Sequence, residues 1–176
     1  MAGQIGKLEM KIFRNDLHKL ASLPIMLKKE LEAILPRIGR TVETTILQHV
    51  QAQDLNWEKL NEDYKAWKAR KGYSTATWIM TSSLTQSITY TCNPKDLSVF
   101  VGVHRTAGQH EHGGYLFEIA FVLEFGNLET GGKTPARPLF QPSLEQSKRS
   151  VETTVGIAVR KALKDFEATT TKPIQP

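Results

Sequence analysis

The sequence predicts an α+β fold, with a long kinked N-terminal helix and a C-terminal helix packed on a small antiparallel sheet built around a β-hairpin. Three patterns carry this expectation. Leu27, Leu31, Ile34, Leu35, Ile38, Val42, Ile46 and Val50 step by three and four, which lines one face of a single helix. Two β-rich runs, Ile88-Thr89-Tyr90-Thr91-Cys92 and Leu97-Ser98-Val99-Phe100-Val101-Gly102-Val103, flank the turn Asn93-Pro94-Lys95-Asp96, the pattern of a hairpin. A second helical period places Leu144, Val151, Val155, Val159, Ala162 and Phe166 near one face over residues 143–166.

The remaining elements follow in order. Glu9-Met10-Lys11-Ile12-Phe13 alternates like a short strand, and Asn15-Asp16 offers a helix cap before Leu17 and Leu20. Pro24 suits the first turn of the long helix, where a missing N–H is tolerated. Pro36 should kink or divide that helix, with Gly39 softening it, before it ends near Ala52. Asn61 is expected to cap a short helix carrying Tyr64 and Trp67 and ending at Gly72, with Arg70 and Lys71 in its last turn. Ser82 or Ser83 can start one helical turn through Leu84, and residues 104–114 read as loop. Residues 115–125 fit helix or strand equally, because the run is too short for periodicity to decide. With neither an internal repeat nor a linker, residues 1–167 are expected to form one domain and residues 168–176 a disordered tail.

Composition narrows the function classes. Apolar residues make up 40% and charged residues 23%, as in an ordinary globular chain. No apolar run approaches the roughly 20 residues of a membrane span, and the N-terminus lacks the apolar stretch of a secretory signal. Synthesis in a cytoplasm, with no membrane partner, is the expectation. Cys92 is the one cysteine and is read as a strand or turn residue rather than a nucleophile. A net charge of +5 permits contact with nucleic acid or an acidic protein without requiring either.

The chemistry-bearing patterns do not converge. Gly131-Gly132-Lys133-Thr134 suggests a phosphate loop, but four residues must separate that motif's two glycines. The required position is Asn127, Gly126 lies one residue too early, and Pro135 and Pro138 occupy the place of the phosphate-binding helix. His110-Glu111-His112, with His104 nearby, has some metal-ligand character but too few partners for a zinc site. No Gly-x-Ser-x-Gly occurs. The expectation is no catalytic residue, no metal ligand and no cofactor. Tyr64-Lys65-Ala66-Trp67-Lys68-Ala69-Arg70-Lys71 has the composition of a single-strand stacking platform. Helical phase instead groups Tyr64 and Trp67 with Leu60 towards the core and leaves Lys65, Lys68 and Lys71 on the wet face, where they could meet DNA.

Two further segments stand out. Phe121-Val122-Leu123-Glu124-Phe125-Gly126 ends an apolar run in an acid, an aromatic and a glycine, and Pro135-Ala136-Arg137-Pro138-Leu139-Phe140-Gln141-Pro142 answers it with three prolines in eight residues. Glu124 and Arg137 are expected to pair and clamp the intervening loop. Together with Trp57-Glu58-Lys59-Leu60 and Thr81-Ser82-Ser83-Leu84-Thr85-Gln86-Ser87-Ile88, these motifs stand in an order that resembles the phage tail-completion, or head–tail joining (neck), proteins, a group that includes minor capsid and virion-morphogenesis proteins. The resemblance spans roughly residues 24–165, with Ser82 standing where that family usually has glycine and a longer loop over residues 105–114.

What the resemblance implies is a structural virion protein, present in the host cytoplasm during assembly, that joins tail and head as part of a ring around the DNA channel. Its partners would be copies of itself and tail-tube, tail-terminator or head-connector proteins, with weak non-specific DNA contact. No catalytic role carries over, and Glu124, Phe125, Gly126, Pro135, Arg137 and Pro138 would serve structure and assembly. A sequence-independent nucleic-acid-binding module is the rival class, and an enzyme the third.

Overall fold

A computed structural model describes residues 22–111, 113–127 and 134–170. The expected N-terminal strand and cap, most of the Gly-rich loop and the last six residues of the tail lie outside them. Seven elements follow in order: α1 (Leu23–Ala52), α2 (Glu62–Arg70), α3 (Ser83–Gln86), β1 (Ile88–Asn93), β2 (Ser98–Val103), α4 (Leu116–Phe125) and α5 (Phe140–Thr170). The fold class is α+β, with long helices near both ends and a two-stranded antiparallel sheet.

The chain divides into two compact units, one of Met1–Leu35 with Glu152–Pro176 and the other of Pro36–Val151. In the first, Leu35, Ala158 and Ala162 are buried, and Lys161 Nζ donates to both carboxylate oxygens of Glu30 at 2.7 Å. That hydrogen bond, more than the charge of Glu30, raises the Lys161 pKa. The second unit holds the hairpin, the three short helices and the core.

Several boundaries follow local rules. Pro24 sits in the first turn of α1, as its missing N–H demands. Pro36 lies inside α1 without dividing it. Gly39 does more than soften the helix, because a Cβ there would overlap the ring of Tyr90 on β1. Asn61 caps α2 through its side chain, accepting from the N–H groups of Asp63 at 2.8 Å and Tyr64 at 3.4 Å. Gly72, at φ 74°, supplies the left-handed residue after that helix.

The hairpin pairs Ile88 with Val103 through Asn93 with Ser98. The ambiguous run at residues 115–125 is helical, α4. The C-terminal helix begins three residues before the expected start and continues through Thr170, so the first three residues of the expected disordered tail are helical. Its buried face is made of small residues, Ser143, Ser147, Thr154, Ala158 and Ala162, whereas Leu144, expected in the apolar stripe, is largely exposed. The core of the second unit gathers Val42, Ile46 and Val50 of α1 with Trp78, Leu84, Ile88 and Leu139.

Candidate functional site

The two motifs flanking the Gly-rich loop build a brace around the start of α5. Leu139 precedes that helix and carries no side-chain acceptor. Its unsatisfied N–H groups are taken instead by Glu124 from α4. The carboxylate accepts from Leu139 N at 2.6 Å, Phe140 N at 3.1 Å and Gln141 N at 3.4 Å. The next residue is Pro142, which has no N–H, so one buried carboxylate completes the set left open at a helix start.

Arg137 does not pair with Glu124, which corrects the expected clamp. Its Nε donates to Glu58 O at 2.9 Å and its Nη2 to Lys59 O at 3.4 Å. The geometric reason is that the helix N-terminus, with its converging N–H groups, already fills the Glu124 carboxylate. The Arg137 backbone is also held, donating to Leu123 O at 2.6 Å and accepting from Trp78 Nε1 at 3.0 Å. Pro138 O accepts from Trp57 Nε1 at 2.7 Å. Gly126 turns the chain at φ 78°, and a Cβ there would stand 3.0 Å from Ala136 N and 3.1 Å from Thr134 O. Only glycine fits that close return. Phe125 alone of the motif points away from the brace and is 58% exposed.

Helix α2 departs from its expected faces at Lys68, Tyr64 and Trp67, while Lys65 and Lys71 are exposed as expected. Lys68 is buried, 3% exposed, and its Nζ donates to Ile79 O at 2.6 Å and Ala76 O at 3.0 Å. Burial lowers its pKa. Tyr64 and Trp67 are 44% and 36% exposed. Their rings stack with centroids 5.6 Å apart and planes at 17°, and Tyr73 meets Trp67 at 5.9 Å. Lys65 and Lys71 are exposed, Lys65 with its Nζ 3.9 Å from Glu62. The wet-face assignment therefore fails for Lys68, because two carbonyls in the following turn satisfy an ammonium better than they could an aromatic ring. No signal in the helical period distinguishes this arrangement from its reverse.

Lys68, Arg137, Pro135 and Trp78 line one cavity of about 680 Å³. Trp78 holds a left-handed backbone, φ 63°, which a bulky residue tolerates only when its surroundings fix it. Here they do: the indole N–H is bonded to Arg137 O and the ring meets Phe140 edge-on at 5.6 Å. Gln53 pins the preceding residue to the end of α1, its side chain exchanging two hydrogen bonds with the Thr77 backbone. His110 lines the same cavity, is buried, and shares a 3.2 Å hydrogen bond with Thr81 Oγ1. His104 instead meets Thr91 at 3.3 Å and the Phe100 ring. The two histidines thus serve different neighbours, and His112 lies outside the described residues. Among the described residues, no group of three or more His, Cys, Asp or Glu side chains is placed to hold a metal ion.

Helix α4 is apolar around most of its circumference, yet only Leu116, Ala120 and Glu124 are buried. Phe121 and Phe125, one turn apart, are 55% and 58% exposed and touch with ring centroids 4.9 Å apart. The sequence marked the segment from Phe121 to Gly126 but not the exposure of its two rings, although a helix apolar all round signals burial by something. Among the described residues no helix is long and apolar enough to cross a membrane. Comparison of the chain with protein-family models, with curated proteins and with solved structures finds no match.

Proposed function

We propose that the chain is a structural phage virion protein that completes the tail or neck and enables head–tail joining, as one subunit of a ring around the DNA channel. The observation that carries this reading is the exposed Phe121–Phe125 pair on an otherwise apolar α4. Such a surface suits a protein neighbour better than water. In a ring each copy presents one patch to a different patch on the next, and α4 supplies the first of these. The Glu124 brace supports the same reading, because it fixes α4 to the start of α5 and so presents the two rings rigidly. The resemblance of the Glu-Phe-Gly and Pro-Ala-Arg-Pro motifs to head–tail joining proteins supplies the biological setting. Deleting the gene from the genome that carries it is expected to leave DNA-filled heads and tails separate in electron micrographs, with joining restored by the wild-type gene. Joined, infectious particles from the deletion would overturn the proposal.

A second reading has its own support. The exposed Tyr64–Trp67 stack, flanked by Lys65, Arg70 and Lys71, has the character of a platform for unpaired bases, for which stacking contributes about 1–3 kcal/mol per base. Under this reading the chain is a sequence-independent nucleic-acid-binding module. A titration with oligodeoxythymidine at two salt concentrations tests it: binding should weaken as salt rises and should be lost in Trp67→Ala.

A further inference from the structure

The 680 Å³ cavity of the second unit has an electrostatic peculiarity that neither reading uses. Two buried cations, Lys68 and Arg137, line it, and no carboxylate of a described residue lies within 4.0 Å of either. Glu58 lies on the cavity wall but pairs with neither through its side chain. Backbone carbonyls accept from both cations, and the Lys68 ammonium also lies over the Tyr64 ring, 5.8 Å from its centroid, so neither has an ionic partner. Lys68 Nζ uses two donors on Ala76 and Ile79, leaving a third. Arg137 uses Nε and Nη2, and no described residue accepts from its Nη1. A buried charge without a counter-ion is unfavourable unless something compensates it.

The walls add two further constraints. Leu60, Ile79, Met80, Leu84, Ile119 and Leu123 make much of the lining apolar. Residues 58–60 run outside any helix or strand, and their backbone N–H groups make no hydrogen bond among the described residues. Backbone N–H groups without acceptors, beside apolar side chains and two cations without a counter-ion, are the complement of a polypeptide bearing one acid, and the volume lies in the usual range of ligand sites.

We propose that this cavity binds a segment of a partner protein that presents one carboxylate, Asp or Glu, flanked by apolar side chains. The carboxylate meets Lys68 Nζ and the Arg137 guanidinium, the flanking side chains lie on Trp78 and Leu123, and the segment's carbonyls accept from the N–H groups of residues 58–60. The proposal is independent of the neck reading, since it concerns a different surface from Phe121 and Phe125.

The test uses the full wild-type chain. Heptapeptides are selected from a random displayed library, and the winner is synthesised beside its Asp→Asn or Glu→Gln counterpart. Binding is read by NMR at the Lys68 ammonium and the Trp78 indole N–H. The expected winner carries one acid between apolar residues, shifts both signals saturably, and loses about tenfold or more in affinity as the amide. Sodium butyrate should bind far more weakly, having no backbone to pair. Four results overturn the proposal: no enrichment, winners without an acid, winners that leave both signals unmoved, or butyrate binding as tightly as the peptide. Since no substitution in the protein is required, a folding defect cannot obscure the outcome.

Discussion

Helices α2 and α4 each bury a charge beside an exposed aromatic ring, and they differ in how that charge is satisfied. On α4, Glu124 goes inward while Phe125 stays out, and three backbone N–H groups of a helix start converge on its carboxylate. On α2, Lys68 goes inward while Trp67 stays out, and the ammonium finds two carbonyls and the Tyr64 ring but no acid. The acid is completed by the fold; the base is not. A helix start offers a bundle of donors and a favourable dipole to an anion, whereas isolated carbonyls offer a cation only hydrogen bonds. The first arrangement answers the charge with a converging set of donors, and the second leaves the cation without an ionic partner among the described residues.

The largest expected effect breaks the finished side. Glu124→Ala leaves Leu139, Phe140 and Gln141 N–H groups buried or half-buried without acceptors, and should cost about 3 kcal/mol in urea unfolding. Glu124→Gln keeps the acceptor oxygen but not the charge, and should lose roughly half as much. Equal and negligible losses in both would show that α5 does not depend on this cap.

Arg137→Ala should come next, at about 1–3 kcal/mol, through the carbonyls of Glu58 and Lys59 rather than through Glu124. The distinction is measurable in a double-mutant cycle. A direct ion pair would give a coupling on the order of 1 kcal/mol or more, whereas separate hydrogen-bond sets should give markedly less.

Lys68 sharpens the comparison through pH. Its folded pKa lies below the unfolded value because burial disfavours the ammonium. The unfolded chain therefore binds more protons as pH climbs from that lowered pKa towards about 10.4, and Lys68 makes stability rise with pH across this window. Lys161 has the opposite sign, its raised pKa giving stability that is lost as pH climbs through the folded value. The difference curve between wild type and Lys68→Met isolates the first contribution. It should slope upward as pH climbs towards about 10.4, the reference value, and a flat difference would mean that Lys68 is hydrated rather than buried.

How much of this could be read from the sequence depended on whether a local rule decided the matter. The hairpin was legible because Asn93-Pro94-Lys95-Asp96 between two β-rich runs admits few alternatives. The Asn61 cap, the Pro24 start and Gly72 were legible for the same reason. The partners of Glu124 and Arg137 were not. Opposite charge and proximity in the chain favour a pair, but the competing acceptors and donors are backbone groups whose positions exist only once α5 and residues 58–59 are placed. Lys68 failed differently: at helical period its phase is clear, yet the sign of the inward face was assigned by hydrophobicity. Two carbonyls at residues 76 and 79 reversed it.

The smallest expected effects on stability fall on the exposed rings, and they separate the two functional readings. Phe121→Ser with Phe125→Ser, and Trp67→Ala, remove side chains that are one third to more than half exposed. Each should change unfolding free energy far less than Glu124→Ala, in the range of ordinary surface substitutions of about 0.5 kcal/mol with some added loss of ring–ring contact. Their consequences for function should diverge. If the chain assembles through α4, the double Phe variant abolishes complementation of the gene deletion while Trp67→Ala complements normally. If it acts by stacking unpaired bases on α2, Trp67→Ala loses oligodeoxythymidine binding while the double Phe variant retains it. The two substitutions sit on different helices, so their effects should combine independently. Loss of complementation by Trp67→Ala alone would favour the nucleic-acid module and remove the reason for assigning α4 the leading role.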